Sequence, residues 1–589
     1  MARQDPRKDV VIVGLGWTGA IMGMEMCEEG LEVLALERGP DRETVPNFRY
    51  PEVADELRFG VRFDFMQRAR QSTLTIRHNT NQTALPYRRF GSFLLGDGVG
   101  GAGIHWNGVH WRPMAEELRL RSYVEETFGA NIIPEDMQLQ DWGVTYEEME
   151  PFLYRFEQVA GIAGVAGNLN GEIQPGGNPF EAPRANPFPM PPLPTTLSNR
   201  MFAEAAQAAG YHPFIKAAAN ASQAYVNPYG MQLGPCNFCG FCERYGCLNY
   251  SKSSPQTCIL DALKRKPNFQ YRTGAEVLRV ELAEDGETAT GVTYFDETAQ
   301  EEVFQPADIV ILAAYQMHNV HLMLLSGIGQ PYDPATGEGV TGRNYSYQMM
   351  GSTAAYFRDI DFNPFVGAGA NGIAIDDFAI NQIDFAAEGF IGGSYISNSQ
   401  TNGQPIRSLS LPEGTKTWGA EWKRGIGEWY GRSMGVGTHG SNMAYRDTYM
   451  DLDPTYTDRH GRPLLRLTFD WKPNEIAMTQ FMRQRIEPLV ESMNPTSWTS
   501  SYREDGASYD TTSYQTTHNV GGTVMGNDPA TSALNRYLQS WDVHNVFVMG
   551  AGAFPQNLQY NPTGMVGGLT YWSADAIRRD YLPNPRPLV

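Results

Sequence analysis

Apolar positions along the chain fall into short β-branched runs broken by glycine turns, and the first of these is regular enough to assign. Val10–Val13 reads as a strand, Gly14–Gly19 as a turn, Ala20–Glu29 as a helix and Leu31–Glu37 as a second apolar strand. Gly30 stands where a helix is expected to end on a left-handed cap, so the segment predicts a βαβ unit. After Pro40 the regularity is lost among Pro, Arg and aromatic residues. Gly91–Gly108 is densely punctuated by glycine, and Gly167–Pro194 is rich in Gly, Asn and Pro, which predicts a long wrapping loop. Thr196–Gly210 returns to helical spacing. Asn268–Asp308 alternates apolar and polar positions, as an antiparallel excursion would, before the buried strand Ile309–Ala313 and the helical Asn319–Leu325. Residues 350–510 mix aromatics, Gly and polar side chains without αβ alternation, which predicts a mostly antiparallel sheet with helices on one face. From Thr517 the first pattern returns, with a strand at Val546–Met549 and a closing helix at Met565–Tyr581. The expected fold is an α/β Rossmann-like domain plus an α+β domain with a largely antiparallel sheet.

Composition narrows what such a chain does. Of 589 residues, 41% are apolar, enough to fill a large core and to exclude disorder. The formal charge of −20 argues against a nucleic-acid partner, because phosphate neutralisation needs clustered Lys and Arg. No apolar run approaches the ~20 residues of a membrane span; the longest, such as Ile309–Tyr315, have the length of a buried strand. The charged stretch Met1–Asp9 runs straight into Val10–Val13, so no secretory signal is read there. Four of the six cysteines, Cys236, Cys239, Cys242 and Cys247, fall within twelve residues. A disulfide framework would spread them; one short loop of four looks like a metal site.

The first glycine turn carries chemistry. In Gly14-Leu15-Gly16-Trp17-Thr18-Gly19, Gly14 permits the tight turn, Gly16 lets backbone amides approach a pyrophosphate, and Gly19 lets helix and strand pack closely. The following helix offers unpaired N–H groups to the phosphates. Glu37 ends the second strand, where a carboxylate can accept both ribose hydroxyls of an adenosine. The dinucleotide could be NAD or FAD. A second glycine-rich loop, Gly98-Val99-Gly100-Gly101-Ala102-Gly103-Ile104-His105-Trp106-Asn107-Gly108, supplies further backbone amides and favours the longer flavin dinucleotide.

These motifs, with Ile311–Ala314 running into Leu324–Gly329, His518–Gly526, and Asn545–Ala551 followed by Asn561-Pro562-Thr563, resemble the glucose–methanol–choline family of flavin oxidoreductases. The matching segments are scattered from residue 10 to 582. Within the family the likeness is to bacterial sugar-acid dehydrogenases that oxidise gluconate, more distantly to fructose, sorbitol and 2-ketogluconate dehydrogenases. The resemblance implies an FAD-binding domain assembled from residues 1–50, 85–115, 195–345 and 515–589, with a cysteine loop at 234–258. Residues 51–84, 116–194 and 346–514 would form the substrate-binding domain and wrapping loops. It implies His518 as the base that takes the substrate hydroxyl proton and Asn561 as the residue that holds the alcohol oxygen; imidazole suits that proton transfer near neutrality. Beside the first glycine turn and Glu37, it places Gly100, Gly101, His105, Trp106, Asn107, Gly108, Val277, Ala314, Gly550, Ala551, Pro562 and Thr563 against the flavin. His105 is expected to bond covalently to the cofactor; packing against the ring edge is the alternative.

The cysteines then acquire a role. The resemblance implies an iron–sulfur cluster of the 3Fe–4S kind, which needs three of the four thiolates and leaves open which is spared; structural zinc is the alternative. The expected reaction is oxidation of D-gluconate to 2-dehydro-D-gluconate, with electrons leaving through the cluster to a multihaem cytochrome c subunit. A small companion subunit would carry the export signal, placing the assembly in the periplasm on the membrane without a span from this chain. Its rivals are a related polyol, ketose or 2-ketogluconate dehydrogenase, an oxygen-using oxidase, and a non-catalytic dinucleotide-binding protein with a zinc site. Cys27 and Cys258 read as small core residues.

Overall fold

The computed structural model describes residues 3–48, 56–68, 72–87, 92–399 and 411–589. Gly91 and parts of the expected segments 1–50, 51–84, 85–115 and 346–514 lie outside the described residues. The βαβ unit is present as β1 (Lys8–Val13), α1 (Trp17–Glu28) and β2 (Val33–Leu36), and Gly30 has φ +83° beyond the helix. The helix starts three residues earlier than its apolar pattern suggests, because Trp17 and Thr18 are themselves buried in its first turn.

These strands belong to an eight-stranded sheet. β3 (Phe269–Arg272) runs parallel to β2, and β2 to β1. β4 (Ala275–Leu282) and β5 (Ala289–Asp296) form the antiparallel excursion. The next strand, β6 (Glu301–Leu312), does two things that the sequence pattern divides. Its first half pairs antiparallel with β5, and its second half pairs parallel with β1, so one continuous strand joins the excursion to the nucleotide-binding core. A late strand, β7 (Val546–Val548), adds parallel to β6. Val10–Val13, Val33–Leu36 and Ile309–Leu312 are almost wholly buried and anchor the largest core cluster, as expected of strands covered on both faces.

The second sheet is antiparallel throughout. Its six strands run in the order Ser497–Ser501, Met350–Tyr356, Ser433–Gly440, Ser394–Ser399, Gly372–Ile375 and Phe214–Ile215. The long helix Pro473–Ser492 packs on it through Met482, Ile486, Leu489 and Val490. The helix Leu197–Ala208 joins the same cluster through Phe202 and Ala206. Residues 197–215, grouped by sequence with the nucleotide-binding segments, therefore lie against the second sheet. The closing helix, Thr563–Ala576, lies against Tyr146–Ala160; Gly567 approaches the Phe156 ring so closely that an added Cβ would stand 2.2 Å from it. Among the described residues no helix is long and apolar enough to cross a membrane.

Candidate active site

The carboxyl ends of β1, β2, β6 and β7 open onto one cavity of about 660 Å³, the place where open parallel sheets bind ligands. Gly14, with φ +94°, makes the turn out of β1; a Cβ there would lie 2.6 Å from the Ala313 carbonyl oxygen. Gly19 fits against the same turn, where a Cβ would be 2.1 Å from the Gly14 oxygen. Helix α1 begins at Trp17 with no side chain capping its first amides, so they remain available to an anion. The second glycine loop is tied to the first by a hydrogen bond from Gly100 N to the Leu15 carbonyl, 2.7 Å. Glu37 is half-buried and accepts from Leu15 N at 3.0 Å and Gly39 N at 2.8 Å. Burial raises its pKa, and these two amides oppose the shift.

Most of the expected cofactor residues line this cavity: Gly14, Gly16, Trp17, Thr18, Glu37, Gly101, His105, Trp106, Asn107, Val277, Ala314, Gly550, Ala551, Pro562 and Thr563. Gly19, Gly100 and Gly108 stand behind it and shape the two turns. The cavity is roomy and lined by residues of two glycine loops, which suits a dinucleotide.

His518 and Asn561 meet at one end of the same cavity. Asn561 Nδ2 lies 3.1 Å from His518 Nε2. Gln348 donates its Nε2 to the Leu558 carbonyl at 2.9 Å, which turns its Oε1 toward His518 Nδ1. That contact places the imidazole proton on Nδ1 and leaves the Nε2 lone pair facing Asn561 and the cavity. Burial, with His439 nearby, holds the His518 pKa well below its ordinary value, so the ring is neutral and ready to accept a proton. Tyr395 bridges Asn561 Oδ1 at 3.1 Å and His439 Nδ1 at 3.0 Å, and the His439 and His518 rings meet edge to face with centroids 5.6 Å apart. Gln348, Tyr395 and His439 carry no motif in the sequence. Tyr395 and His439 face each other across two neighbouring antiparallel strands, a pairing that no local pattern reveals.

Two models of one family match the chain, both described as GMC oxidoreductase, over residues 192–349 and 444–570. The chain is 51% identical to the gluconate 2-dehydrogenase flavoprotein of Pantoea cypripedii, across 100% of this chain and 96% of that protein. This chain is a GMC oxidoreductase. It is also 24% identical to the fructose dehydrogenase large subunit of Gluconobacter japonicus, over 98% of this chain and 99% of that one. Among solved structures, a formate oxidase variant from Aspergillus oryzae aligns with TM-score 0.59 at 13% identity, covering 98% of this chain and 99% of that one. Pyridoxine 4-oxidase from Mesorbium loti aligns with TM-score 0.56 at 14% identity, covering 98% and 100%. These two share the fold, and membership of the family makes this chain an FAD-dependent oxidoreductase.

In this GMC oxidoreductase, His105 lines the cavity with its Nε2 buried and without a hydrogen-bond partner. Burial, with Lys252 and Arg244 close by, lowers its pKa to about 3, so the ring is neutral and its nitrogen nucleophilic. An orphaned imidazole nitrogen on the wall of a flavin cavity fits a covalent link.

The cysteine loop lies behind His105. Lys252 is fully buried and donates its ammonium to the carbonyls of Ile104 (3.1 Å), Trp106 (2.6 Å), Cys242 (2.7 Å) and Tyr245 (2.7 Å), lacing the second glycine loop to the cysteine loop. None of the four cysteines is in a disulfide, and burial pushes the Cys236 thiol up to about 12 and the Cys242 thiol to about 11. N–H groups reach three of the sulfurs: Phe238 N to Cys236 at 3.4 Å, Lys252 N to Cys247 at 3.3 Å and Asn220 Nδ2 to Cys242 at 3.8 Å. Among the described residues, no three of His, Cys, Asp and Glu are arranged to hold a metal ion. The four cysteines share one loop, but three of their sulfurs accept from N–H groups and, among the described residues, they are not drawn to a common centre.

Proposed function

We propose that this chain is the flavoprotein subunit of a dehydrogenase that oxidises the C2 hydroxyl of D-gluconate to 2-dehydro-D-gluconate. The observation that carries the chemistry is the His518–Asn561 pair, 3.1 Å apart, at the end of the flavin cavity. The full-length likeness to a gluconate 2-dehydrogenase flavoprotein supports the substrate. His518 Nε2 accepts the hydroxyl proton while the hydrogen on C2 leaves as hydride, and Asn561 Nδ2 holds the alcohol oxygen in line. FAD, when bound, supplies the two-electron acceptor, and His105 tethers it. The carboxylate of Glu37 takes the ribose of the nucleotide end.

The cysteine loop supports a one-electron exit. Three of Cys236, Cys239, Cys242 and Cys247 would hold a 3Fe–4S cluster, which would supply one-electron transfer toward a multihaem cytochrome c subunit. A small companion subunit with an export signal would bring the complex to the periplasm.

Spectra and an anaerobic substrate panel test this reading. Purified holoenzyme should carry flavin and iron–sulfur absorption, and its flavin should bleach with D-gluconate in the absence of oxygen. Bleaching by polyols or ketoses alone would reassign the substrate. Rapid oxygen consumption with gluconate and no added acceptor would mark an oxidase, and a colourless zinc protein would end the proposal.

A further inference from the structure

Asn561 stands between residues 557–560 and the closing helix that starts after Pro562, and the stretch before it is gripped from three sides. Gln348, which also faces His518 Nδ1, donates its Nε2 to the carbonyls of Leu558 at 2.9 Å and Tyr560 at 3.4 Å. Glu117 accepts from Gln559 N at 2.7 Å, and Gln559 Oε1 accepts from Ile380 N at 2.9 Å. The third grip is Asp376, directly after the strand Gly372–Ile375 of the second sheet. Its Oδ2 accepts from the Tyr560 hydroxyl and from Asn178 Nδ2, the latter at 2.5 Å.

Asp376 is fully buried, both of these side-chain partners are neutral donors, and its Oδ1 is buried without a partner. Burial pushes its pKa up to about 7; the two donors oppose that shift, and Asp377 and Glu181 add to it. An acid so placed weakens the fold unless a specific contact needs it.

Tyr560 is that contact. Its ring stacks on Trp111, with centroids 4.5 Å apart and planes at 11°, and it meets the Tyr395 ring at 5.7 Å. Tyr395 is the residue whose hydroxyl reaches Asn561 Oδ1. Tyr560 therefore bears on the Asn561 amide twice, through the peptide bond that joins them and through the ring that backs Tyr395. Stacking alone lets a ring slide in its plane, whereas a phenol tied at its far end to a carboxyl stays put. A displacement of ~1 Å at a group that must hold an alcohol oxygen in line can cost ~100-fold in rate.

We propose that Asp376 is a positioning residue for flavin reduction, which acts through the Tyr560 hydroxyl to fix the ring and backbone that set Asn561 against His518. The inference rests on the role proposed above for Asn561 and carries it into the second sheet. It holds whichever alcohol is the substrate.

The test is a double-mutant cycle in anaerobic stopped-flow bleaching of the holoenzyme, run with whichever sugar acid or polyol bleaches the parent fastest. Tyr560→Phe keeps the stacked ring and removes only the hydroxyl. It should slow reduction at saturating substrate ~10-fold, the scale of one buried hydrogen bond, with the half-saturating concentration little changed. Asp376→Ala should slow it as much, and Asp376→Asn, whose amide oxygen still accepts from the phenol, should recover most of the loss. In an Asn561→Ala background no amide remains to be placed, and adding Tyr560→Phe should change the rate by no more than ~2-fold. Flavin content and thermal midpoint report folding, and if Asp376→Ala does not fold, Tyr560→Phe and Asp376→Asn decide. An unchanged rate in folded Tyr560→Phe, or an equal loss in both backgrounds, overturns the positioning role and leaves the proposed function standing. Asn561→Ala reducing its flavin at the parent rate, or a parent that no alcohol bleaches, would instead overturn the proposed function and the positioning role with it.

Discussion

The Tyr395 hydroxyl lies 3.1 Å from Asn561 Oδ1, and this contact decides which end of the amide faces His518. With Oδ1 accepting from the phenol, the NH₂ group turns to His518 Nε2 at 3.1 Å. The phenol oxygen is then left to accept from His439 Nδ1. Tyr395→Phe removes the anchor and lets the amide rotate, without emptying the flavin cavity. Flavin reduction by substrate should slow about tenfold with bound flavin retained, the scale of one buried hydrogen bond. Stopped-flow bleaching measures it, and an unchanged rate would show that the amide needs no such guide.

The pH dependence of the same step reports on His518. Its active form is the neutral ring, which predominates above its pKa. Burial sets that pKa well below 6.5, so the acid limb of the reduction rate should fall below pH 6.5. His439, lowered to about 4, would titrate further into acid. A limb centred at or above 6.5 would mean that the base is more exposed, or is another group. His518→Ala should abolish reduction across the whole range while flavin absorption persists.

The nucleotide-binding half was legible because its chemistry is local. Gly14, Gly16 and Gly19 sit within six residues, and each answers to a contact a few bonds away, such as the Gly19 approach to the Gly14 oxygen. Strand β6 was read as two pieces, the end of the antiparallel excursion and a buried strand, since Ile309–Leu312 is uniformly apolar whereas the residues before it alternate. The proposed catalytic pair, His518 and Asn561, was found through its flanking motifs. Gln348, Tyr395 and His439 were not, because strand register, fixed over long sequence distances, brings them to His518. The signal available was slight: a histidine in the small-residue strand Ser433–Gly440.

Cys242 is the most buried of the four clustered thiols and neighbours the Lys252 lacing that joins the cysteine loop to His105 and Trp106. Under the proposed function, Cys242→Ser should spare flavin reduction by substrate yet stop cytochrome c reduction, with loss of the iron–sulfur absorption. The two half-reactions are measured separately, by anaerobic bleaching and by acceptor turnover. Normal electron delivery to the cytochrome in this variant would remove the cysteine loop from the exit route.

Glu157 makes a prediction about stability. Its carboxylate is fully buried between Arg112, which donates from Nε at 2.7 Å and Nη2 at 2.9 Å, and Arg184, with His110 Nε2 at 3.1 Å. The group pins the helix Tyr146–Ala160 to the chain leaving the second glycine loop and to the wrapping loop around Arg184. Glu157→Gln keeps the shape but leaves the buried Arg184 guanidinium without its carboxylate and Arg112 with Glu150 alone, which should cost on the order of 3–5 kcal/mol. The two arginines hold the Glu157 pKa well below its ordinary value of 4.5. A depressed folded-state pKa stabilises fully above the unfolded value, and that contribution is lost as pH falls through the folded one. The urea midpoint of the variant should therefore lie clearly below that of the parent at pH 7, and the gap should narrow only in acid below pH 4.5. A gap that is absent at pH 7, or that widens on acidification, would show that the arginines are satisfied without the charge.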